Sequence, residues 1–114
     1  MLPRLRETAA KAYKVGVKIV AGTDTGYGPS SNRRLSHEVI ELVAIGIAPM
    51  DAIRAATSVS AECLGVNGRT GSIKPGLEAD LIAVERDPIS DVRNLQDVVL
   101  VVNNGKVALH RLGW

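Results

Sequence analysis

The stretch Gly16-Val17-Lys18-Ile19-Val20-Ala21-Gly22-Thr23-Asp24 decides how this chain is read. Val17 to Ala21 is short, apolar and rich in β-branched residues, the composition of a buried strand covered on both faces. Asp24 follows among small residues, at the place where α/β proteins put their active-site groups, the carboxyl end of a strand. A carboxylate there suits a metal ligand, a general base, or both. It equally suits a loop cap that accepts bonds from nearby backbone amides. Spacing alone leaves both readings open.

Outward from this stretch the first half reads helix, strand, helix. On the amino-terminal side Pro3 suits a first helical turn, Leu5, Ala9 and Ala12 recur at helical spacing, and Gly16 is placed to end the helix. On the other side, Thr23 to Asn32 is Gly, Ser, Thr, Pro and Asn, which is loop chemistry. Arg33 to Ile45 returns to helical period, with Leu35, Val39, Leu42 and Val43 on one face and Gly46 as the stop. Pro49 opens a helix through Ala56, and Ser58 caps another that stops at Gly65.

The second half changes period. Asn67 to Gly76 is a connector, with Gly68, Gly71, Pro75 and Gly76 among its residues. Leu81 to Glu85 reads as a strand. Val98 to Asn103 and Lys106 to His110 read as two more, joined by Asn104-Gly105, a strong hairpin signal. The fold class is therefore α/β, a parallel unit followed by a separate antiparallel sheet. One parallel strand has no second parallel strand to pair with, so open edges and uncovered aliphatic surface are expected, and with them self-association through the strand edges. The pattern reads as an incomplete domain, the end of something larger.

Composition sets the outer limits. At 114 residues the chain is one domain at most and falls far short of the ~250 residues of a complete (β/α)₈ barrel. Apolar residues are 46% and charged ones 23%, so the composition is globular. With no Phe and only Tyr13, Tyr27 and Trp114 as aromatics, the core must be aliphatic. A net charge of +2, evenly scattered, gives no nucleic-acid footprint. The longest aliphatic run, Val98 to Val102, is five residues, against ~20 for a membrane span. Arg4, Arg6, Glu7, Lys11, Lys14 and Lys18 leave no apolar signal stretch, so the default location is cytoplasmic. An internal origin for Met1 would remove that default.

The remaining polar candidates have plain structural readings. Gly26-Tyr27-Gly28 supplies part of a dinucleotide fingerprint, but Ser31 stands where its third glycine belongs. Ser36, His37 and Glu38 are neighbours on a helix, so their side chains diverge and make no triad. His37 reads as a surface or packing residue, and His110 as exposed at a strand end. Cys63, the single cysteine, excludes a disulfide framework and reads as a small buried residue rather than a nucleophile. Arg33-Arg34 opposes the helix macrodipole, which points to a solvated surface or to contact with an acidic group. Tyr27, Ser30 and Ser31 suit turn formation or ligand contact.

Three segments together resemble the carboxyl-terminal portion of the amidohydrolase superfamily, in its imidazolonepropionase-like and metal-dependent Xaa-Pro-dipeptidase-like branch. The first is Gly16 to Asp24, similar to the last barrel strand and its terminal aspartate. The second runs from His37-Glu38-Val39-Ile40-Glu41-Leu42 through Gly46 to Pro49-Met50-Asp51-Ala52-Ile53-Arg54-Ala55-Ala56-Thr57. The third is Gly71-Ser72-Ile73-Lys74-Pro75-Gly76 with Ala79-Asp80-Leu81-Ile82, then Asp87-Pro88 and the Asn104-Gly105 hairpin.

The resemblance implies the last βα unit of a metal-dependent (β/α)₈ barrel over residues 1–66, and part of a small antiparallel β-sandwich over 67–114. It implies a hydrolase that uses one or two divalent metals, zinc foremost, to cleave carbon–nitrogen bonds in amides, cyclic amides or dipeptide-like substrates. Asp24 alone carries over, as both metal ligand and catalytic proton carrier. The family's His-x-His pair, mid-barrel carboxylate or modified lysine, and two further histidines have no counterpart, since the chain holds only two histidines, His37 and His110. A catalytic zinc generally takes three protein ligands. The chain alone is therefore expected to bind no metal and to be inactive. The alternative is a non-catalytic interaction module that docks onto a partner supplying the missing strands.

Overall fold

The computed structural model describes residues 3–23 and 34–113. Four helices come first: α1 (Pro3–Lys14), α2 (Leu35–Ala44), α3 (Pro49–Ala55) and α4 (Ser58–Cys63). Three strands follow, β1 (Leu81–Val84), β2 (Val98–Asn103) and β3 (Lys106–His110), with a short 3₁₀ turn, Val92–Gln96, between β1 and β2.

The helix stops fall where the glycines predict them. Gly46 has φ +104°, a conformation that costs an ordinary L-residue strain and glycine little. Its N–H bonds the Val43 carbonyl at 3.0 Å, and that of Ile47 bonds the Leu42 carbonyl at 3.1 Å. This paired closure satisfies carbonyls that the helix end would otherwise leave open. The same two bonds recur after α1, from Gly16 and Val17, and after α4, from Gly65 and Val66.

The core is small and aliphatic, as the lack of Phe requires. Val39 and Leu42 of α2, Ile47, Ala52 and Ala55 of α3, and Val92 of the 3₁₀ turn form one buried cluster, with Ile19, Ala21 and Leu95 packed on its margin. Alanines at the α2–α3 contact let the two helices approach closely. The 3₁₀ turn itself has a legible start that the sequence reading passes over. Asp91 accepts a bond from the Arg93 N–H at 2.9 Å, and Val92 and Leu95 then face the helices. Buried Asn94 is satisfied by donating its Nδ2 to the Asp87 carbonyl at 2.8 Å.

α1 differs from the others in burying no side chain. Polar links hold it instead. The Tyr13 hydroxyl donates to Asp51 Oδ2 at 2.6 Å, and Arg6 pairs with Glu41 at 3.0 Å.

The strands form one antiparallel sheet in the order β1-β2-β3. Asn104 (φ 47°) and Gly105 (φ 76°) both have positive φ, as a type I′ hairpin turn demands. Register places Ile82 opposite Val101 and Val101 opposite Leu109, so these three make one apolar row across the sheet. Asp80 ties the sheet to the connector. Its Oδ1 accepts the Asn104 N–H at 2.7 Å and its Oδ2 the Thr70 hydroxyl at 2.8 Å. Gly71, next to Thr70, lies against α4: a Cβ placed there would fall 2.5 Å from the Ala61 Cβ and 3.1 Å from the Thr57 carbonyl oxygen.

Four expectations are corrected. Val17 to Ala21 belongs to no sheet, because the three strands of the described residues pair with one another and offer it no neighbour. Its backbone is tied instead to helices, by the Val17 N–H to the Ala12 carbonyl at 3.0 Å and the Ala21 N–H to the Ala55 carbonyl at 2.9 Å, and Val17 and Val20 stay 53% and 42% exposed. Cys63 is exposed, not buried. Ala61 takes the inward position of α4, and a residue two places on lies ~200° around a helix. Ser58 is the first residue of α4 rather than its cap. Thr57 stands at the cap, and its hydroxyl donates back to the Ile53 carbonyl at 2.8 Å instead of capping. Leu35, at the open first turn of α2, is exposed rather than part of the buried face.

Candidate functional site

Asp24, the residue carried over as metal ligand and proton carrier, lies outside the described residues, together with Gly26, Tyr27, Gly28, Ser30, Ser31 and Arg33. What surrounds that span is well defined. On its amino-terminal side Ile19 and Ala21 rest on the core, and the Ala21 N–H is bound to α3. On its carboxyl-terminal side α2 begins at Leu35, and the His37 N–H closes its first turn on the Arg34 carbonyl at 2.9 Å. The layer of α2 and α3 therefore fixes both ends of the segment that carries Asp24.

The other sequence candidates are dispersed. His37 is exposed on α2, whereas Ser36 faces a cleft beside the sheet and Val39 is buried, so successive residues point apart as helix geometry requires. His110 is exposed at the end of β3, and Cys63 at the end of α4. Among the described residues no group of three or more His, Cys, Asp or Glu is placed to hold a metal ion. Those residues do not by themselves fit a divalent metal. Among them too, no helix is long and apolar enough to cross a membrane.

The shifted ionisations lie in structural contacts. Arg93 bonds the Asp91 carboxylate, with its own N–H adding a second contact, and holds that carboxyl down to about 2. The Asn104 N–H and then the Thr70 hydroxyl keep Asp80 below the usual carboxylate range. Tyr13 is raised, chiefly because its hydroxyl donates to Asp51 and ionisation would end that bond. Charge-accepting bonds of this kind favour the ionised carboxylate and the neutral phenol.

Two clefts border the core. One, about 220 Å³, lies between the end of α1, residues 16–19 and α3, with Tyr13, Asp51 and Arg54 in its wall. The other, about 310 Å³, lies between the start of α2, the 3₁₀ turn and the sheet. Its floor includes Ile82, Val98, Val101 and Leu109, and Arg34, Ser36, Gln96 and Arg111 complete its lining. Sequence reasoning singles out Arg34 but not Arg111, which needs the sheet register to bring it near.

The described residues make an α/β arrangement, a layer of helices beside a three-stranded antiparallel sheet. Residues 2–108 match the model of the Amidohydrolase family, and the chain belongs to that family. It is similar to ochratoxinase of Aspergillus niger, 36% identical over 101 residues that make up 84% of this chain and 20% of that protein. It is also similar to adenine deaminase 4 of Rhizobium meliloti, 40% identical over 78 residues, 68% of this chain and 12% of that one. Among solved structures, a Xaa-Pro dipeptidase with methionine bound in its active site superposes with a TM-score of 0.85 at 37% identity, covering 94% of this chain and 26% of that one. The ochratoxinase crystal structure superposes with a TM-score of 0.78 at 31% identity, covering 92% and 25%. The chain thus spans between about an eighth and a quarter of the length of these relatives.

Proposed function

We propose that this chain is the carboxyl-terminal part of a metal-dependent hydrolase that cleaves carbon–nitrogen bonds in small amide, cyclic amide or dipeptide-like substrates. In this reading residues 1–66 are the end of a (β/α)₈ barrel, Val17 to Ala21, unpaired here, becomes its last strand where neighbouring barrel strands flank it, and residues 67–114 are part of a small β-sandwich. The observation that carries it is the family match over residues 2–108, which includes Asp24 directly after that strand-like segment. Asp24 is the residue that holds metal and takes the proton of the attacking water, delivering it to the departing nitrogen. Without further ligands one aspartate holds a divalent cation no better than other surface carboxylates do, so the chain alone is inactive.

Two measurements test this. The purified chain, titrated with zinc and then dialysed, is expected to retain no stoichiometric metal and to leave an Xaa-Pro dipeptide and a cyclic amide intact. Retention of one zinc per chain, or hydrolysis that Asp24→Ala abolishes, overturns the inactivity. A chimera in which residues 2–108 replace the matching quarter of the Xaa-Pro dipeptidase is expected to hydrolyse its dipeptide and to lose that activity with Asp24→Asn. A fully active Asp24→Asn chimera removes Asp24 from the chemistry.

A second reading, a non-catalytic module docking on a partner that supplies strands, is favoured by the unpaired, half-exposed Val17–Ala21 segment. A soluble monomer by light scattering that takes up no hydrophobic dye would leave that reading without support.

A further inference from the structure

The dipeptide Asn-Gly occurs twice, at Asn67-Gly68 in the connector and at Asn104-Gly105 in the hairpin. In such a pair the following backbone nitrogen can reach the asparagine side-chain carbon, since glycine carries no Cβ to obstruct the approach. All four residues are exposed, so access to water does not separate the two sites. Their hydrogen bonds do.

In the hairpin the reacting nitrogen is occupied. The Gly105 N–H donates to the Ala79 carbonyl at 3.0 Å, the Asn104 N–H donates to Asp80 Oδ1 at 2.7 Å, and β2 and β3 pair on both sides of the turn. Attack there first requires the turn to open. In the connector the Val66 carbonyl accepts the Arg69 N–H at 2.9 Å and the Thr70 N–H at 3.1 Å, which makes Asn67 and Gly68 the central residues of a turn. Neither the Gly68 N–H nor the Asn67 side chain bonds any described residue, and the space around the Gly68 Cβ position is open.

We propose that Asn67-Gly68 is a site of spontaneous deamidation that loosens the connector, while Asn104-Gly105 is protected by its hydrogen bonds. The Gly68 nitrogen gives up its proton and bonds to Asn67 Cγ. The Cγ–Nδ2 bond breaks, and Nδ2 leaves as ammonia with that proton. Water then opens the five-membered imide. Attack at Cγ leaves an aspartate in an unaltered backbone. Attack at the main-chain carbonyl carbon leaves an isoaspartate, whose main chain runs through Cγ and is one methylene longer between Val66 and Arg69. That extra length pulls Arg69 and Thr70 away from the Val66 carbonyl. The residues next in line carry the joint: Thr70 donates to Asp80 at 2.8 Å, and Gly71 packs on Ala61. Only water takes part, so the inference stands apart from the proposed hydrolase activity.

The test incubates the full chain in mildly alkaline buffer and reads digests by mass spectrometry for exchange of amide for acid at residues 67 and 104, with isoaspartate scored by enzymatic methylation. In the folded chain residue 67 is expected to react at least tenfold faster than residue 104. In urea, where both dipeptides are released, the two rates should agree within about threefold. Gly68→Ala, at an exposed position with room for a methyl, should slow residue 67 at least tenfold. The isoaspartyl fraction, separated by chromatography, should unfold at a lower urea concentration than the Asn67→Asp variant, which adds the charge without lengthening the main chain. Equal rates at the two sites in the folded chain, or a residue 104 that stays tenfold slower in urea, overturns the protection by hydrogen bonds. An isoaspartyl fraction as stable as the Asn67→Asp variant overturns the loosening.

Discussion

Replacing Gly71 by alanine isolates the contact on which the helical half and the connector meet. Gly71 has φ +97°, and a new methyl would overlap Ala61, at 2.5 Å between the two Cβ atoms, as well as the Thr57 carbonyl oxygen at 3.1 Å. The backbone term is about 1–2 kcal/mol for an L-residue in left-handed conformation. Forced overlap in a packed site adds about 1–3 kcal/mol, because the Ala61 methyl and the Thr57 carbonyl are short or main-chain groups that cannot swing away. The expected loss is therefore about 2–5 kcal/mol. Two other glycines separate the terms. Gly76 has φ +88° with open space around its Cβ position, so its alanine variant should lose only about 1–2 kcal/mol. Gly68 has neither constraint, and its variant should stay within about 0.5 kcal/mol of the parent or gain slightly. Urea unfolding followed by circular dichroism gives all three, compared by midpoint at unchanged slope. The pair Gly71→Ala with Ala61→Gly should recover about 1–3 kcal/mol relative to the sum of the single changes. Gly71→Ala no worse than Gly76→Ala would refute the overlap, and with it the packing of the connector on α4.

Further outcomes follow from the core, the polar staples and α1. Leu42→Ala, at a position 5% exposed in the small cluster, should cost about 2–4 kcal/mol in the same urea assay. Asp91 and Asp80 both have folded pKa values below those of the unfolded chain, so their stabilising effect is complete above about pH 4 and fades as pH falls. For Asp91 the loss should run from about 4 down to about 2, and Asp91→Asn should flatten that part of the pH–stability curve. Tyr13→Phe removes the bond to Asp51 from a helix with no fully buried side chain, so hydrogen exchange should quicken in α1 while the β2–β3 amides keep their protection.

Local signals made most elements legible. Glycines at the helix ends, Pro49 at the start of α3 and Asn104-Gly105 in the hairpin each act within a few residues, and the structure follows them to within about two residues. What depends on distant partners was less accessible. Val17 to Ala21 has strand composition, yet a strand exists only when a neighbour offers its amides and carbonyls, and none of β1, β2 or β3 does. Cys63 is apolar enough to bury, but which face of a six-residue helix turns inward depends on the connector that covers Ala61. Asp24 was legible as a candidate from its place after that segment, while the arrangement around it lies outside the described residues. Arg111 had no sequence signal, because only the pairing of the chain after β3 with Val99 of β2 brings it to the cleft that Arg34 also lines.

The Asp80 carboxylate grips the hairpin turn with one oxygen and the connector with the other, and one residue along that connector Gly71 leans on α4. These contacts form a short relay through which strain can pass between the sheet and the helices. Tugging the β2–β3 tip should therefore be felt at Ala61, and severing the relay at Asp80 would leave the Val92 turn as the remaining route by which load on the sheet reaches the helices.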